Sequence, residues 1–292
     1  MTSSTVLVSA TLRRPEEKAL VEALRARDLR AELVLRHDLA AVLSGHREPP
    51  ALVLVRHLSH AEGAAVARRL EHAGIPTLNT SRAIDVCNDK GLQALLCARH
   101  GIPHPVSRHV FSYDQVRETA AAIGRPLVVK PVSGSWGRGV TLLRDRDGVE
   151  AWIGGRESLD ATGKTFPVLL QDYVEKPGHD LRVVVVGGTP VVAIERASAD
   201  WRTNTHLGAE VTRTDITAEI AELCRRAVAA LGEGFYGIDL LRDTADGELK
   251  VLEVNANPEF ARSSAVHGVP VAERLADHVA ALDHGGTTRV AG

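Results

Sequence analysis

A chain of 292 residues, 44% apolar and 25% charged, can bury a sizeable core and has room for two domains or three small ones. Its formal net charge of −2 argues against bulk nucleic-acid binding, and its ordinary composition against disorder over most of its length. Three scattered cysteines (Cys87, Cys97, Cys224) form no C-x-x-C and no disulfide framework, so reduced and mostly buried thiols are expected.

No charged n-region precedes a long apolar stretch at the start, so no signal peptide is expected. Residues 1–88 then alternate strand and helix. Thr5 to Ser9, Ala31 to Leu35, Ala51 to Val55 and Thr77-Leu78 read as strands. Between them Pro15 opens a helix with Leu20, Ala23 and Leu24 on one face, and Val66, Leu70 and Ala73 mark another. This rhythm predicts an α/β domain, a small open parallel sheet with covering helices. It carries no glycine fingerprint, so a substrate-side or scaffold role fits it better than a nucleotide site.

Asn88-Asp89-Lys90 stands where a helix should begin, with Asn88 as cap, Asp89 in the first turn, and Leu92, Leu95 and Leu96 facing inward. Lys90 is electrostatically odd at the positive end of a helix. A nearby anion would resolve this, as would simple exposure to water. Ser112-x-x-Gln115 is a capping-box pattern ahead of the stripe Val116, Ala120, Ile123. Leu127 to Lys130 reads as a strand that delivers an ammonium, followed by Gly134, Gly137 and Gly139 among small and basic residues. Such a stretch can close over phosphates, its amides near the anion and Lys130 and Arg138 supplying charge. It is neither a P-loop nor a dinucleotide fingerprint, and a surface loop merely rich in glycine has the same look.

Val168 to Asp172 is a further strand, and the connector Tyr173-Val174-Glu175 can meet a purine edge through its backbone while Val174 packs on the ring. The most apolar run, Val183 to Ile194, is too short for a bilayer and is broken by Gly187-Gly188 and Pro190, which predicts a hairpin. Asp180 and Arg182 share a strand face, either as a surface pair or with Arg182 toward a phosphoryl group. Arg196, Arg202 and Asn204 surround Trp201 in an irregular stretch that suits a ligand-lining loop or a solvated one. Ile220, Cys224, Ala227 and Leu231 stripe a structural helix.

Tyr236 to Leu241 and Leu249 to Asn255 read as two strands joined around Asp246-Gly247. A register symmetric about Asp246 sets Asp239 opposite Glu253, whereas a strict two-residue turn at Asp246-Gly247 misses that pairing by one. Glu253 and Asn255 share a face in either case. Carboxylates among Ile, Leu and Val need cationic compensation, and Asp, Glu and Asn oxygens with nucleotide phosphates are the usual magnesium set. Two acids on the solvent face of a hairpin are the alternative. Residues 284–292 read as a flexible tail.

Together, Lys90, Lys130, the Gly134–Gly139 flap, Gln171 to Val174, Asp180/Arg182 and Asp239…Glu253-Val-Asn255 resemble the ATP-grasp ligases. Their order and spacing are similar to the RimK/LysX family. Asn88-Asp-Lys90, Gly134-Ser-Trp-Gly-Arg138, the run Gln171 to Asp180 and Trp201-Arg-Thr-Asn204 look most like its LysX branch. The resemblance implies an ATP-grasp fold, α/β passing to α+β in the C-terminal part, with residues 1–88, 89–174 and 175–283 as its three parts. It implies ATP as substrate and magnesium as metal, two ions with Glu253 bridging and manganese as a substitute. Lys90, Lys130, Ser135, Trp136, Gly137, Arg138 and Gly139 would hold phosphates. Gln171, Asp172 and Val174 would hold adenine, with Asp180 close by. Arg182, Arg196 and Asn204 would line the phosphoryl-transfer region, Glu259 would grip an ammonium, and Asp239, Glu253 and Asn255 would carry metal.

The implied activity is carboxylate–amine ligation through an acyl phosphate, on the C-terminal glutamate of a small acidic amino-group carrier protein, with an amino acid as the amine. A glutamate ligase acting on another protein or cofactor, and an ATP-binding protein without turnover, are the alternatives. A soluble, cytoplasmic homo-oligomer, dimer or tetramer, is expected, with neither nucleic acid nor membrane as partner. One departure stands out. Ala256-Asn-Pro-Glu-Phe260 keeps the Glu-Phe of LysX-like enzymes but not their Thr-Met, while the ribosomal-protein branch has Pro followed by Gly.

Overall fold

The chain is described by a computed structural model that covers residues 5–134, 137–160, 164–198, 200–201 and 210–284. The N-terminal apolar runs form β1 (Thr5–Ala10), β2 (Arg30–Leu35), β3 (Leu52–Arg56) and β4 (Thr77–Leu78), paired in parallel in the order β2-β1-β3-β4. Helices α1 (Pro15–Arg25), α2 (Leu39–Leu43) and α3 (His60–His72) connect them. Pro15 opens α1 at the position where a missing amide costs nothing, and Leu20, Ala23 and Leu24 are buried as the stripe predicts. In α3, Leu70 is buried and Val66 half-buried, but Ala73 lies outside the helix as an exposed C-cap.

After α4 (Ser81–Asn88) and α5 (Lys90–Arg99), a second sheet forms from β5 (Ser107–Val110), β6 (Leu127–Pro131), β7 (Thr141–Leu143) and β8 (Val168–Asp172), antiparallel in the order β5-β8-β6-β7. Helices α6 (Tyr113–Ile123) and α7 (Arg146–Glu157) supply Val116, Trp152 and Ile153 to its own core. Ser112 caps α6 by accepting from Gln115 N at 3.2 Å, and Gln115 Oε1 returns a bond to the amide of Phe111 at 2.7 Å.

The third sheet holds β9 (His179–Val186), β10 (Thr189–Ala197), β11 (Glu210–Thr214), β12 (Phe235–Arg242) and β13 (Leu249–Asn255), antiparallel in the order β11-β10-β9-β12-β13. Gly187 and Gly188 turn β9 into β10 with φ of +56° and +90°, the two positive values that a tight hairpin demands. Helix α8 (Ala218–Leu231) buries Ile220, Cys224, Ala227 and Leu231, and α9 (Ala261–His267) and α10 (Val271–His284) follow. All three cysteines are buried free thiols. Among the described residues no helix is long and apolar enough to cross a membrane.

Two details of α5 differ from expectation. Asn88 ends α4, and Asp89 is the cap of α5, its Oδ1 accepting from Gly91 N at 2.8 Å and Leu92 N at 3.0 Å. Leu92 and Leu95 are 44% and 54% exposed, while Gly91, Gln93 and Cys97 are buried. Leu96 does pack against the core, but Leu92 and Leu95 do not, because the inward face of α5 is completed by Gly91, Cys97 and Gln93, the last meeting the backbone of β13.

The first and third sheets share a core. Val6, Val8 and Leu20 pack in one cluster with Val184, Phe260 and Leu275. Across that junction lies a buried ionic network. Arg56 donates to Glu16 at 3.2 Å, Glu17 at 3.3 Å and the Pro258 carbonyl at 3.0 Å, and its guanidinium stacks over Phe235 and Phe260. Glu16 Oε1 accepts from the amides of Phe260 and Ala261 at 2.6 and 2.7 Å. Arg56→Met should therefore strip a counter-charge from two buried carboxylates and lower stability by about 3 kcal/mol. Thermal unfolding checks this, and an unchanged midpoint would remove the network from any account of how the two sheets are held.

Candidate active site

Most of the expected site residues among those described converge where the second sheet faces the third. Here an open cleft of about 920 Å³, solvent-facing mouth included, is lined by Lys90, Lys130, Gly134, Gly137, Arg138, Gln171 to Val174, Asp180, Arg196, Asp239 and Glu253. Val128, Leu241 and Leu252 add apolar surface from both sheets, suited to the face of an aromatic base. Among the described residues five cationic side chains line the cleft: Lys90, Lys130, Arg138, Lys176 and Arg196. Four carboxylates join them, of which Asp172 is already paired with Arg108 and Arg125. A cleft with that balance favours a polyanion.

Register explains the acidic cluster. Leu240 pairs with Val251, but Asp239 pairs with Glu253, because Leu252 is an extra residue bulged out of β13. The bulge sets Asp239 directly opposite Glu253 and also brings Leu252 to the cleft. Asp239 also lies opposite Arg182 on β9, and Asp180 opposite Arg196 on β10. Arg182 grips Asp239 with two bonds of 2.7 and 2.8 Å, and Arg196 links Asp180 (2.7 Å) to Asp239 (3.0 Å). Burial pushes the Asp239 carboxyl upward, but Arg182 and Arg196 outweigh it and hold the group well below the usual carboxylate range. Burial pulls Arg196 down, yet Asp239 and Asp180 raise it further, so it stays charged.

Lys90 opens α5 beside an anion supplied by the protein itself. Its ammonium lies 3.4 Å from Glu253 and donates to the Gly134 carbonyl at 2.6 Å, while its amide donates to the Val132 carbonyl at 2.8 Å. The base of the flap is thereby tied to the start of α5. Lys130 donates to Gln171 Oε1 at 2.6 Å; burial, with Lys90 and Lys176 nearby, outweighs Glu253 and lowers its pKa to about 8.

Several expected roles shift. Gln171 lines the cleft with its carboxamide engaged, accepting from Lys130 and donating to Ser107. The carboxylate of Asp172 is held by Arg108 and Arg125. Arg182 reaches the cleft through Asp239. Glu259 is 70% exposed with Arg14 at 3.8 Å and is not among the lining residues, because the turn into α9 directs it outward. Gly139 belongs to the flap with φ of +72°. Ser135, Trp136, Arg202 and Asn204 lie outside the described residues. Lys176, which sequence reasoning left without a role, lines the cleft 3.7 Å from Asp180. A lysine four residues before an acid was the available signal.

Asp239, Glu253 and Asn255 fit a hard cation by their chemistry. A carboxylate offers about four lone-pair sites, and Asp239 spends three on arginine donors, which leaves one. Asn255 Nδ2 is buried without a hydrogen-bond partner among the described residues, and a phosphate oxygen at this amide would accept from it. No three His, Cys, Asp or Glu side chains converge among the described residues, so the amide or phosphate oxygens must complete any metal shell.

The facing antiparallel sheets, the glycine flap and the cation-rich cleft are those of an ATP-grasp ligase, a class that uses ATP with magnesium. The chain belongs to the RimK-like family: residues 87–279 match the RimK-like ATP-grasp domain, and residues 6–86 match the LysX preATP-grasp domain. It is 32% identical over 225 residues to the alpha-aminoadipate–LysW ligase LysX of Sulfurisphaera tokodaii, covering 77% of this chain and 78% of that one. It is 36% identical to a probable alpha-L-glutamate ligase of Serratia proteamaculans, over 74% of this chain and 71% of that one. The crystal structure of a RimK domain ATP-grasp protein from Sphaerobacter thermophilus superposes with a TM-score of 0.74 at 27% identity, covering 94% and 99% of the two chains.

Proposed function

We propose that this ligase phosphorylates the C-terminal glutamate of a small acidic amino-group carrier protein and couples it to the amine of an amino acid. The observation that carries the reading is the meeting of Lys90 and Lys130, from one side of the cleft, with Asp239 and Glu253 from the other. In the first step a carboxylate oxygen attacks the γ-phosphorus of ATP and ADP leaves, giving an acyl phosphate. In the second an amine attacks the acyl carbon, loses its proton and expels phosphate, leaving an amide. Magnesium, held by Asp239, Glu253 and Asn255, would supply charge neutralisation for the polyphosphate.

The rest falls to this chain's own groups. Lys90 and Lys130 bind phosphate oxygens, Gln171 keeps Lys130 aimed, and Arg196 offers positive charge beside the transferring group. The flap over the cleft keeps water from the acyl phosphate. Relatives named for alpha-aminoadipate and LysW favour the carrier reading. A second reading, glutamate addition to another protein or cofactor, draws on the relatives named as probable glutamate ligases. ADP release, measured over a panel of amino acids against small acidic proteins ending in glutamate, separates them. Carrier-dependent release with an adduct mass of one amino acid supports the proposal. ADP formed only with glutamate on other acceptors supports the second reading, and nucleotide binding without release for any pair overturns both.

A further inference from the structure

Strand β13 is an edge of its sheet, and Val254 is the residue between Glu253 and Asn255. Val254 turns its amide and carbonyl outward, away from β12, where a further strand would otherwise pair. The carboxamide of Gln93 occupies that place. Its Oε1 accepts from Val254 N at 2.7 Å, and its Nε2 donates to Val254 O at 3.2 Å and to Cys87 O at 2.8 Å. Gln93 is 7% exposed and sits one turn after Lys90 on α5. One helix thus carries both the lysine 3.4 Å from Glu253 and the amide that fixes the backbone between Glu253 and Asn255.

The geometry points to Gln93 as the positioning residue of the metal-bearing strand. By pairing like a one-residue strand it sets the height and tilt of Glu253 and Asn255 relative to Lys90. This rests on the reading of Asp239, Glu253 and Asn255 as metal ligands. A side chain of similar length without hydrogen-bonding groups would leave two buried backbone groups unpaired and let the edge shift. Outer groups that orient metal ligands typically matter by roughly 10–100-fold in metal affinity.

The test is a Mg2+ titration of ADP-saturated protein, followed by thermal shift and by Mn2+ competition in electron paramagnetic resonance, with ADP formation measured in parallel. Gln93→Met should raise the Mg2+ midpoint about tenfold. Gln93→Glu keeps the acceptor for Val254 N and should fall between it and the native protein; it also carries the test should the methionine variant not fold. A lower melting temperature with an unmoved Mg2+ midpoint in whichever variants fold makes Gln93 merely structural and overturns the proposal. Glu253→Gln is the control. If it too leaves the midpoint unmoved, the ligand assignment itself has failed, and the Gln93 proposal falls with it.

Discussion

Asp239→Asn and Glu253→Gln should each reduce ADP-forming turnover by about a hundredfold to a thousandfold, the scale seen when a preorganised electrostatic group at a reacting centre is lost. The two variants should differ in stability. Asp239 is 4% exposed and carries three arginine bonds, so its neutralisation takes the counter-charge from Arg182 and leaves Arg196 with Asp180 alone. Breaking a buried pair of this kind costs about 3–5 kcal/mol. Its carboxyl is held low by those arginines, so the stability it contributes is present above the ordinary carboxylate pKa and is lost only as pH falls through the depressed folded value. At neutral pH the contribution is complete, and the loss in Asp239→Asn should appear in full as a lower melting temperature. Glu253 has a 25% exposed side chain facing Lys90 at 3.4 Å, and its loss should barely move stability. Turnover per folded molecule, read beside thermal melts, distinguishes the effects. Retention of a tenth of native turnover by Glu253→Gln would sink the metal assignment.

The parts of this molecule that follow from local rules could be read from the chain. The alternation of apolar strand and amphipathic helix placed β1 to β4 within a residue or two, and Gly187-Gly188 located a hairpin because a two-residue turn with two positive φ values favours such a pair. The facing of Asp239 and Glu253 was half legible. Symmetry about Asp246 gave the right pairing, yet the turn end of the hairpin keeps a different register, and the bulge at Leu252 that reconciles them leaves no mark in composition. What failed depended on partners distant in sequence. Nothing near Asp172 announces that Arg108 and Arg125 will claim its carboxylate, and nothing near Leu92 and Leu95 reveals that Gln93, beside Leu96 and Cys97, completes the inward face of α5. Residues that line the cleft could be named by type and spacing, but their contacts with one another could not. Gln171 orienting Lys130, and Arg182 bracing Asp239, are contacts between strands whose pairing must be known first.

Nucleotide binding should weaken as pH rises past about 8, and Lys130 supplies the reason. A lysine in water stays charged to about pH 10. Lys130 is half-buried, and the desolvation of its ammonium together with Lys90 and Lys176 outweighs the pull of Glu253, so it begins to lose its proton near 8. Its folded pKa lies below the unfolded one, so the unfolded chain binds more protons between the two values. In that window Lys130 alone makes stability rise with pH, while its phosphate-binding charge is being lost. A bound polyphosphate favours the ammonium and raises the pKa again, so binding above about pH 8 must take up a proton. Affinity for ADP without metal should then fall by up to about tenfold per pH unit in that range, the limit for one linked proton. Lys130→Arg should flatten this dependence, since a guanidinium keeps its charge, whereas Lys130→Ala should bind about a hundredfold more weakly at neutral pH, a loss of the size expected for a buried charge-assisted contact. Isothermal titration in buffers of differing ionisation enthalpy reads the proton directly. Uptake near zero at about pH 9 in the native protein would mean that Lys130 is not the phosphate-binding ammonium.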